Sequence, residues 1–362
     1  MTVTRFLLAA ALTLTATALP AQTTQRFTAS KATEYGLVYS LPLTAVDITI
    51  ETEHTCRVPG EFHNYARRHL AIGNAITAES TTATVKSVTI ATRGIGNPDS
   101  RWLVQFKAGA TPFMILSGES TPLAINTDNV AETDTPQLPV AQPRRPTILE
   151  SDAARQAMTE DMIRSSSVSK RAELAAQRIF ELRDVRSDLL SGQADNPPAD
   201  GQAMQLVLQN LADQEEALTA MFAGTTSVWT DVKTITIVPD SLETSDEVLA
   251  RVSPFDGIID ADNLAGAPIR VSVEIIERGE LPVNDKGEVK KFPKGGVVYT
   301  IAGTARISVS YEGRVIGSAD VALAQLGCTF GLDPSLFTDK KAPSQLLFDP
   351  ATGGILLLGP AE

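Results

Sequence analysis

Apolar positions along this chain follow two different periods, and the change of period divides it. Val46, Ile48 and Ile50 alternate with Asp47, Thr49 and Glu51. That period of two describes a strand with one buried and one wet face. Strands are predicted over Gly36–Leu41, Val46–Glu53, Thr82–Ala91, Arg101–Ala108, Pro112–Ser117 and Leu123–Asn126. Pro42 separates the first two, and the Gly94–Asp99 cluster reads as a turn between the third and fourth. A second set of strands is predicted over Val228–Val238, Glu247–Val252, Ile269–Arg278, Val297–Ala302, Ala305–Tyr311 and Val315–Leu326, with a closing hairpin over Leu346–Leu358. Glu61–Leu70 reads as a short helix with Phe62, Ala66 and His69 on its inner side.

Between the two sets the period becomes helical. Ala172, Ala175, Ile179, Leu182 and Leu189 fall on one face of a wheel. Ser169 is the expected N-cap and Gly192 the expected end. Asn196-Pro197-Pro198 cannot continue a helix. Asp200 is expected to cap a second helix, with its stripe at Met204, Leu208, Leu211, Leu218 and Phe222. The short connection predicts an antiparallel helical hairpin over 169–224. Two charges interrupt the stripes, Arg186 and Glu215. A symmetric turn places them about 13 Å apart, at about 1.5 Å per residue. Glu215 is therefore expected to pair with Arg178, and Arg186 to meet solvent or another part of the chain.

The expected fold class is α+β, mainly β, with two antiparallel β-rich units flanking the helical hairpin. The expected divisions are a leader over 1–21, a β-rich unit over 22–126, a linker over 127–168, the hairpin, and a second β-rich unit over 225–362. Within the linker, 127–146 is proline-rich and aperiodic; 147–168 reads equally as helix or as an irregular lead. Gly36-Leu-Val-Tyr-Ser-Leu-Pro-Leu-Thr-Ala45 resembles Gly296-Val-Val-Tyr-Thr-Ile-Ala-Gly-Thr-Ala305. Lys86-Ser-Val-Thr-Ile90 resembles Lys233-Thr-Ile-Thr-Ile237, in swapped order. These echoes suggest two related β units.

Charge and the N-terminus narrow the function. The net charge of −12 over 362 residues, without a basic block, argues against nucleic acid as a partner. Met1–Ala21 has one Arg, an apolar run from Phe6 to Leu14, and small residues at which cleavage after Ala18 or Ala21 is possible. It reads as a signal peptide, so the protein is expected to be exported, to the periplasm or the cell surface, with no membrane span afterwards. A disulfide between Cys56 and Cys328 is one possibility in an oxidising compartment, and two separate thiols are the other.

Candidate chemistry is sparse. His54, Cys56, Glu61, His63 and His69 lie close in sequence. His63 and His69 would point about 120° apart on a helix, which opposes a shared metal. Asp260-Ala-Asp262-Asn263-Leu-Ala-Gly266 resembles the start of a calcium loop, but Val271 stands where the closing Glu belongs. No nucleophile elbow, phosphate-binding glycine loop or Cys-x-x-Cys is present. No cofactor is expected.

Several stretches resemble a family of exported proteins carrying a domain of unknown function, typical of Bacteroides-like Gram-negative bacteria. They include Tyr35-Gly-Leu-Val-Tyr-Ser-Leu-Pro42, Ala175-Ala-Gln-Arg-Ile-Phe-Glu-Leu-Arg183 with Arg186 and Gly192, and Asp200-Gly201. Thr44-Ala45, Ala194-Asp-Asn196, Phe222-x-Gly224, Phe255–Pro268, Gly303-Thr-Ala-Arg306, Leu336-Phe337, Asp339-Lys-Lys-Ala-Pro343 and Phe348-Asp-Pro-Ala-Thr-Gly353 complete the set. The resemblance implies export and architecture, and no activity. The cysteines are atypical of it. The sequence thus favours a non-enzymatic binding or scaffolding protein of the cell envelope. Arg183, Arg186 and Glu216, with Asp184, would form the partner surface, the partner being another envelope protein or a glycan. The alternative is a hydrolase of glycans or peptides using carboxylates between the two β units.

Overall fold

The computed structural model describes residues 22–27, 36–106, 113–131, 136–194, 197–198, 201–333, 335–338 and 343–361. The expected leader, Tyr35, Asn196, Asp200 and the 339–342 stretch lie outside the described residues.

Three antiparallel sheets and one helical layer make up the fold. The first sheet has the order β1-β3-β2-β6, from β1 (Gln22–Arg26), β2 (Leu37–Val58), β3 (Ser80–Phe106) and β6 (Thr225–Ile237). The second is β11-β10-β9-β7-β8, from β7 (Thr244–Ser253), β8 (Gly257–Ile259), β9 (Ala267–Glu277), β10 (Val297–Tyr311) and β11 (Arg314–Leu332). The third is β13-β12-β5-β4, from β4 (Met114–Leu116), β5 (Pro122–Ile125), β12 (Ser344–Phe348) and β13 (Ile355–Pro360). A four-residue helix α6 (Ser335–Thr338) supplies Phe337 to the third sheet's core.

The expected split into an early and a late β unit is not how the strands pair. β6 comes from beyond the helices and joins β2, while β12 and β13 join β4 and β5. Strand pairing follows exposed edges and matching apolar faces rather than chain order.

The alternation at Val46, Ile48 and Ile50 does what it predicts. These side chains are buried against Ile269, Val271, Ala305, Ile307 and Val309 of the second sheet. Each such aliphatic side chain contributes about 1.5–3 kcal/mol when fully buried. Two predicted breaks are not breaks. Pro42 lies inside the continuous strand β2, at a register shift between Ser40 and Pro42. A bulge frees the proline from donating to the ladder. Gly94–Asp99 likewise lies inside β3. A Cβ on Gly94 would sit 2.1 Å from the Pro350 carbonyl oxygen. The glycine is needed for close backbone approach rather than for a turn. Ile301 to Gly303 is a third such site, a bulge inside β10.

The helical layer contains α1 (Ala66–Leu70), α2 (Asp152–Ala157), α3 (Glu160–Arg164), α4 (Val168–Ser191) and α5 (Gly201–Ala223). A single 3-10 turn, His63–Tyr65, precedes α1 and another, Ile148–Glu150, precedes α2. The 147–168 segment is therefore mostly short helix, packed on α4 and α5 through Ala154, Ala157 and Met162. Ser167, two residues before the expected cap, accepts from the Lys170 N–H at 3.4 Å. Gly192 ends α4 in the left-handed region at φ 74°. Ala172, Ala175 and Ala176 meet Ala217, Leu218 and Phe222 in a core closed by Phe62. No helix among the described residues is long and apolar enough to cross a membrane.

Candidate binding groove

Gly224 makes the corner that creates the site. Helix α5 ends at Ala223 and strand β6 starts at Thr225, with one residue between them. Gly224 has φ 82°, and a Cβ there would stand 2.6 Å from the Val58 carbonyl oxygen and 2.9 Å from Ile76. Only glycine turns this corner without strain. The chain then runs away from α5 along the edge of the first sheet. The segment before α2, here termed the strap, crosses in front of that corner. Its Gln142 exchanges backbone hydrogen bonds with Thr230, both at 3.0 Å. Arg144 donates from Nε to Ser227 Oγ at 3.4 Å and from Nη2 to Glu150 at 2.9 Å.

Between strap, α5 and β6 lies a groove of about 860 Å³. That volume is in the usual range for ligand sites, about 300–1,000 Å³. Arg145 and Ile148 stand on the strap side, Arg183 and Arg186 come from α4, and Glu215, Glu216 and Thr219 from α5. Thr225–Val228 form the remaining wall. No histidine, cysteine, lysine or aromatic residue lines the groove among the described residues.

The three residues singled out from sequence, Arg183, Arg186 and Glu216, all line this groove; Asp184 does not. Their pairing differs from expectation. Glu215 accepts from Arg183 Nε at 2.6 Å and from Arg186 Nη1 at 3.4 Å. Arg178 instead pairs with Glu181 on its own helix at 3.1 Å. The symmetric-turn assumption set Glu215 opposite Arg178, whereas the observed partners lie five and eight residues further along α4. Arginine's long stem then lets both side chains converge on one carboxylate. The Arg183 guanidinium also lies 5.8 Å from the Phe180 ring centre.

Arg145 is different. It is exposed, lines the groove, and has no hydrogen bond or ion pair among the described residues. The wall thus carries three arginines against two glutamates, a local positive excess on a chain of net charge −12. Sequence reading missed Arg145. Its signal was the Arg144-Arg145-Pro146 cluster in an otherwise weakly charged strap, and nothing local shows that this segment faces α5.

The other candidates lie elsewhere. Asp260 accepts from Lys233 Nζ at 3.1 Å, and its carbonyl accepts from the Asn263 N–H in a surface turn. Asp262 is exposed on the same turn. Among the described residues no group of three His, Cys, Asp or Glu converges as a metal set. His54 is buried, stacks on Trp229 at 5.0 Å, and has Nε2 2.9 Å from Asp231. That contact meets the ion-pair distance but not hydrogen-bond geometry, so both ring nitrogens lack a proper partner. We read it as proximity rather than a formed bond. His63 Nδ1 is 2.8 Å from the Gly60 carbonyl oxygen, and His69 packs near Tyr65. Cys56 and Cys328 are not bonded to each other. They sit in different sheets, Cys56 near the end of β2 and Cys328 beside the bulge of β10–β11. Burial, and then the charge of Glu280, push the Cys328 thiol up. A cleft of about 460 Å³ between the sheets has Ile235, Ile237, Leu249, Val271 and Val273 in its walls, with Asp240 and Glu247 exposed.

The profile of the family described as a domain of unknown function, DUF4831, matches residues 35–356. The chain belongs to that family. Neither curated proteins nor solved structures gave a match.

Proposed function

We propose that this is an exported binding protein of the bacterial cell envelope, and that the groove bounded by the strap, α5 and β6 is its recognition surface. The observation that carries the reading is Arg145. It is a cation without a partner among the described residues, in the same walled groove as Arg183 and Arg186. An exposed arginine that the fold does not use, beside hydroxyls and open backbone, suits an anionic ligand. The leader supports export. The helical hairpin would be the recognition module set into the β framework, its inner rather than its outer face meeting the partner.

The hydrolase reading gains no specific support. Both Glu215 oxygens are committed to arginine contacts. Glu216, one residue on, points about 100° away around the helix. In the cleft between the sheets the carboxylates are Asp240 and Glu247, both exposed.

Thr219→Trp fills the groove from α5 without touching the buried seam at Ala217 and Leu218. Captures from envelope extract with wild type and Thr219→Trp should differ by loss of the partner. Identical partner lists from two equally folded proteins would sink the reading.

A further inference from the structure

Strand β6 ends the first sheet. β2 pairs one side of it, and among the described residues no strand pairs the other. Gln142 and Thr230 exchange both backbone bonds across that outer side. In an antiparallel ladder a residue directs both its groups to one neighbour, and the direction alternates along the strand. The β2–β6 register runs without a shift from Val46↔Ile237 to Val58↔Thr225. Thr226 and Val228 therefore also aim N–H and C=O away from β2. The strap does not take these groups up. Pro143 and Pro146 have no N–H to give. Among the described residues the strap's backbone bonds to β6 end at Gln142. The gap so left is the groove, and Thr226 and Val228 lie in its wall.

In the second sheet the corresponding position is filled. β10 lies between β11 and β9 as β2 lies between β3 and β6. The start of β9 pairs with the end of β10, as the start of β6 pairs with the end of β2. On the outer side of that first half of β9, from Ala267 to Val273, runs β7, antiparallel. β6 presents its own first half with a single rung, Gln142, and two open ones.

We propose that the groove takes an extended acidic peptide segment, which adds to β6 as an antiparallel strand at Thr226 and Val228 and sets a carboxylate against Arg145. This rests on the reading of the groove as the recognition surface. Strand addition draws affinity from main-chain bonds and specificity from alternate side chains. Here Arg145, with Arg183 and Arg186 beside it, would read the acid, and Ile148 and Ala220 the apolar neighbour. A glycan fits less well, because the groove has no aromatic ring for a sugar face.

Fluorescence anisotropy on the full chain tests this with a capped, fluorescein-labelled Val-Glu-Val-Glu-Val peptide. Two derivatives are N-methylated at one or the other set of alternate backbone nitrogens, and a linear oligouronate serves as the carbohydrate arm. The parent peptide should bind. One methylated derivative should weaken about tenfold and the other less than about twofold, since only one set of N–H groups meets the strand. Arg145→Glu should weaken binding at least about tenfold, and Arg145→Lys by only a few-fold. Equal binding of both methylated derivatives and the parent would overturn strand addition. Uronate binding that depends on Arg145, without peptide binding, would overturn the peptide and leave the groove as the recognition surface. No binding of either probe, with Thr219→Trp equally inert, would sink both.

Discussion

Strands β2 and β3 form a long bent hairpin, and β10 and β11 form another that loses register at matching points. Between Ser40↔Arg101 and Pro42↔Gly96, β2 advances two residues and β3 five. Between Ile301↔Cys328 and Gly303↔Leu323, β10 advances two and β11 five. Further along, Glu51↔Ser87 gives way to Thr52↔Val85, and Val309↔Gly317 to Ser310↔Val315, a one-residue slip in each. The sequence echo between Gly36–Ala45 and Gly296–Ala305 thus has a structural counterpart. The differences are more informative than the likeness. Tyr39 is buried, and its hydroxyl donates to the Val298 carbonyl at 3.1 Å and accepts from the Val298 N–H at 2.8 Å. Tyr299, its counterpart, packs edge-on against Phe330 at 6.4 Å. Most tellingly, β9 has its outer edge covered by β7, whereas among the described residues the outer edge of β6 carries only the Gln142 bridge. One frame is used twice, once closed for stability and once left open.

The most severe way to break the comparison is to give the first hairpin the second's residue. Counted from the first pair past the long register shift, Pro42↔Gly96 and Gly303↔Leu323, Gly94 opposite Thr44 matches Val321 opposite Ala305. Gly94→Val should cost at least about 4 kcal/mol in urea unfolding, because its side chain would overlap the Pro350 carbonyl. A loss below about 1 kcal/mol would mean that the β12–β13 turn does not press on β3. Next comes the tyrosine pair. Tyr39→Phe leaves the Val298 N–H and C=O buried and unpaired and should cost about 3 kcal/mol, against less than about 0.5 kcal/mol for Tyr299→Phe. Equal losses would erase the asymmetry.

The smallest effect is electrostatic. The Lys86 ammonium at 2.8 Å, opposed by burial and aided by Ser87, holds the Glu51 carboxyl below the usual range. Arg306 does the same to Asp320 across β10–β11, where both partners are about half exposed. A depressed folded-state pKa contributes stability above the ordinary carboxylate range, and that stability is lost as pH falls through the depressed value. Glu51→Gln should therefore lower stability by about 1.5 kcal/mol at pH 7 and flatten the decline below pH 4. Asp320→Asn should leave the urea midpoint unchanged within error. A larger acid effect at Asp320 than at Glu51 would contradict the burial assigned to the two sheets.

What could be read beforehand follows from how local each cause is. Val46, Ile48 and Ile50 announced their face because burial alternates with the pleat. Pro42 and Gly94 misled because a proline or glycine in a bulge looks like one in a turn, and only the partner strand distinguishes them. β1, built from Gln22–Arg26, and the three-residue β8 carry no apolar alternation, so they were not read as strands. Arg183, Arg186 and Glu216 were legible as charges on the helical pair. Their meeting with Arg145 was not, because it depends on where the strap crosses β6. The Arg186–Glu215 contact was misplaced by assuming a symmetric turn, a geometric rather than a chemical error.

The bond between Thr49 and Thr234 hydroxyls, at 2.8 Å, spans 185 residues of chain. Closing so long a loop is slow compared with forming the adjacent hairpins or the helical pair. β6 should therefore be the last strand to seal the first sheet, and until it arrives the long edge of β2 is exposed. Pulse-labelled hydrogen exchange should find the amide of Ile235, which faces β2, protected later than that of Thr89, which faces β2 from β3. Earlier protection at Ile235 would reverse this order. The same strand that offers an open edge in the finished protein is also the one that sets how long the unfinished protein stays prone to aggregate.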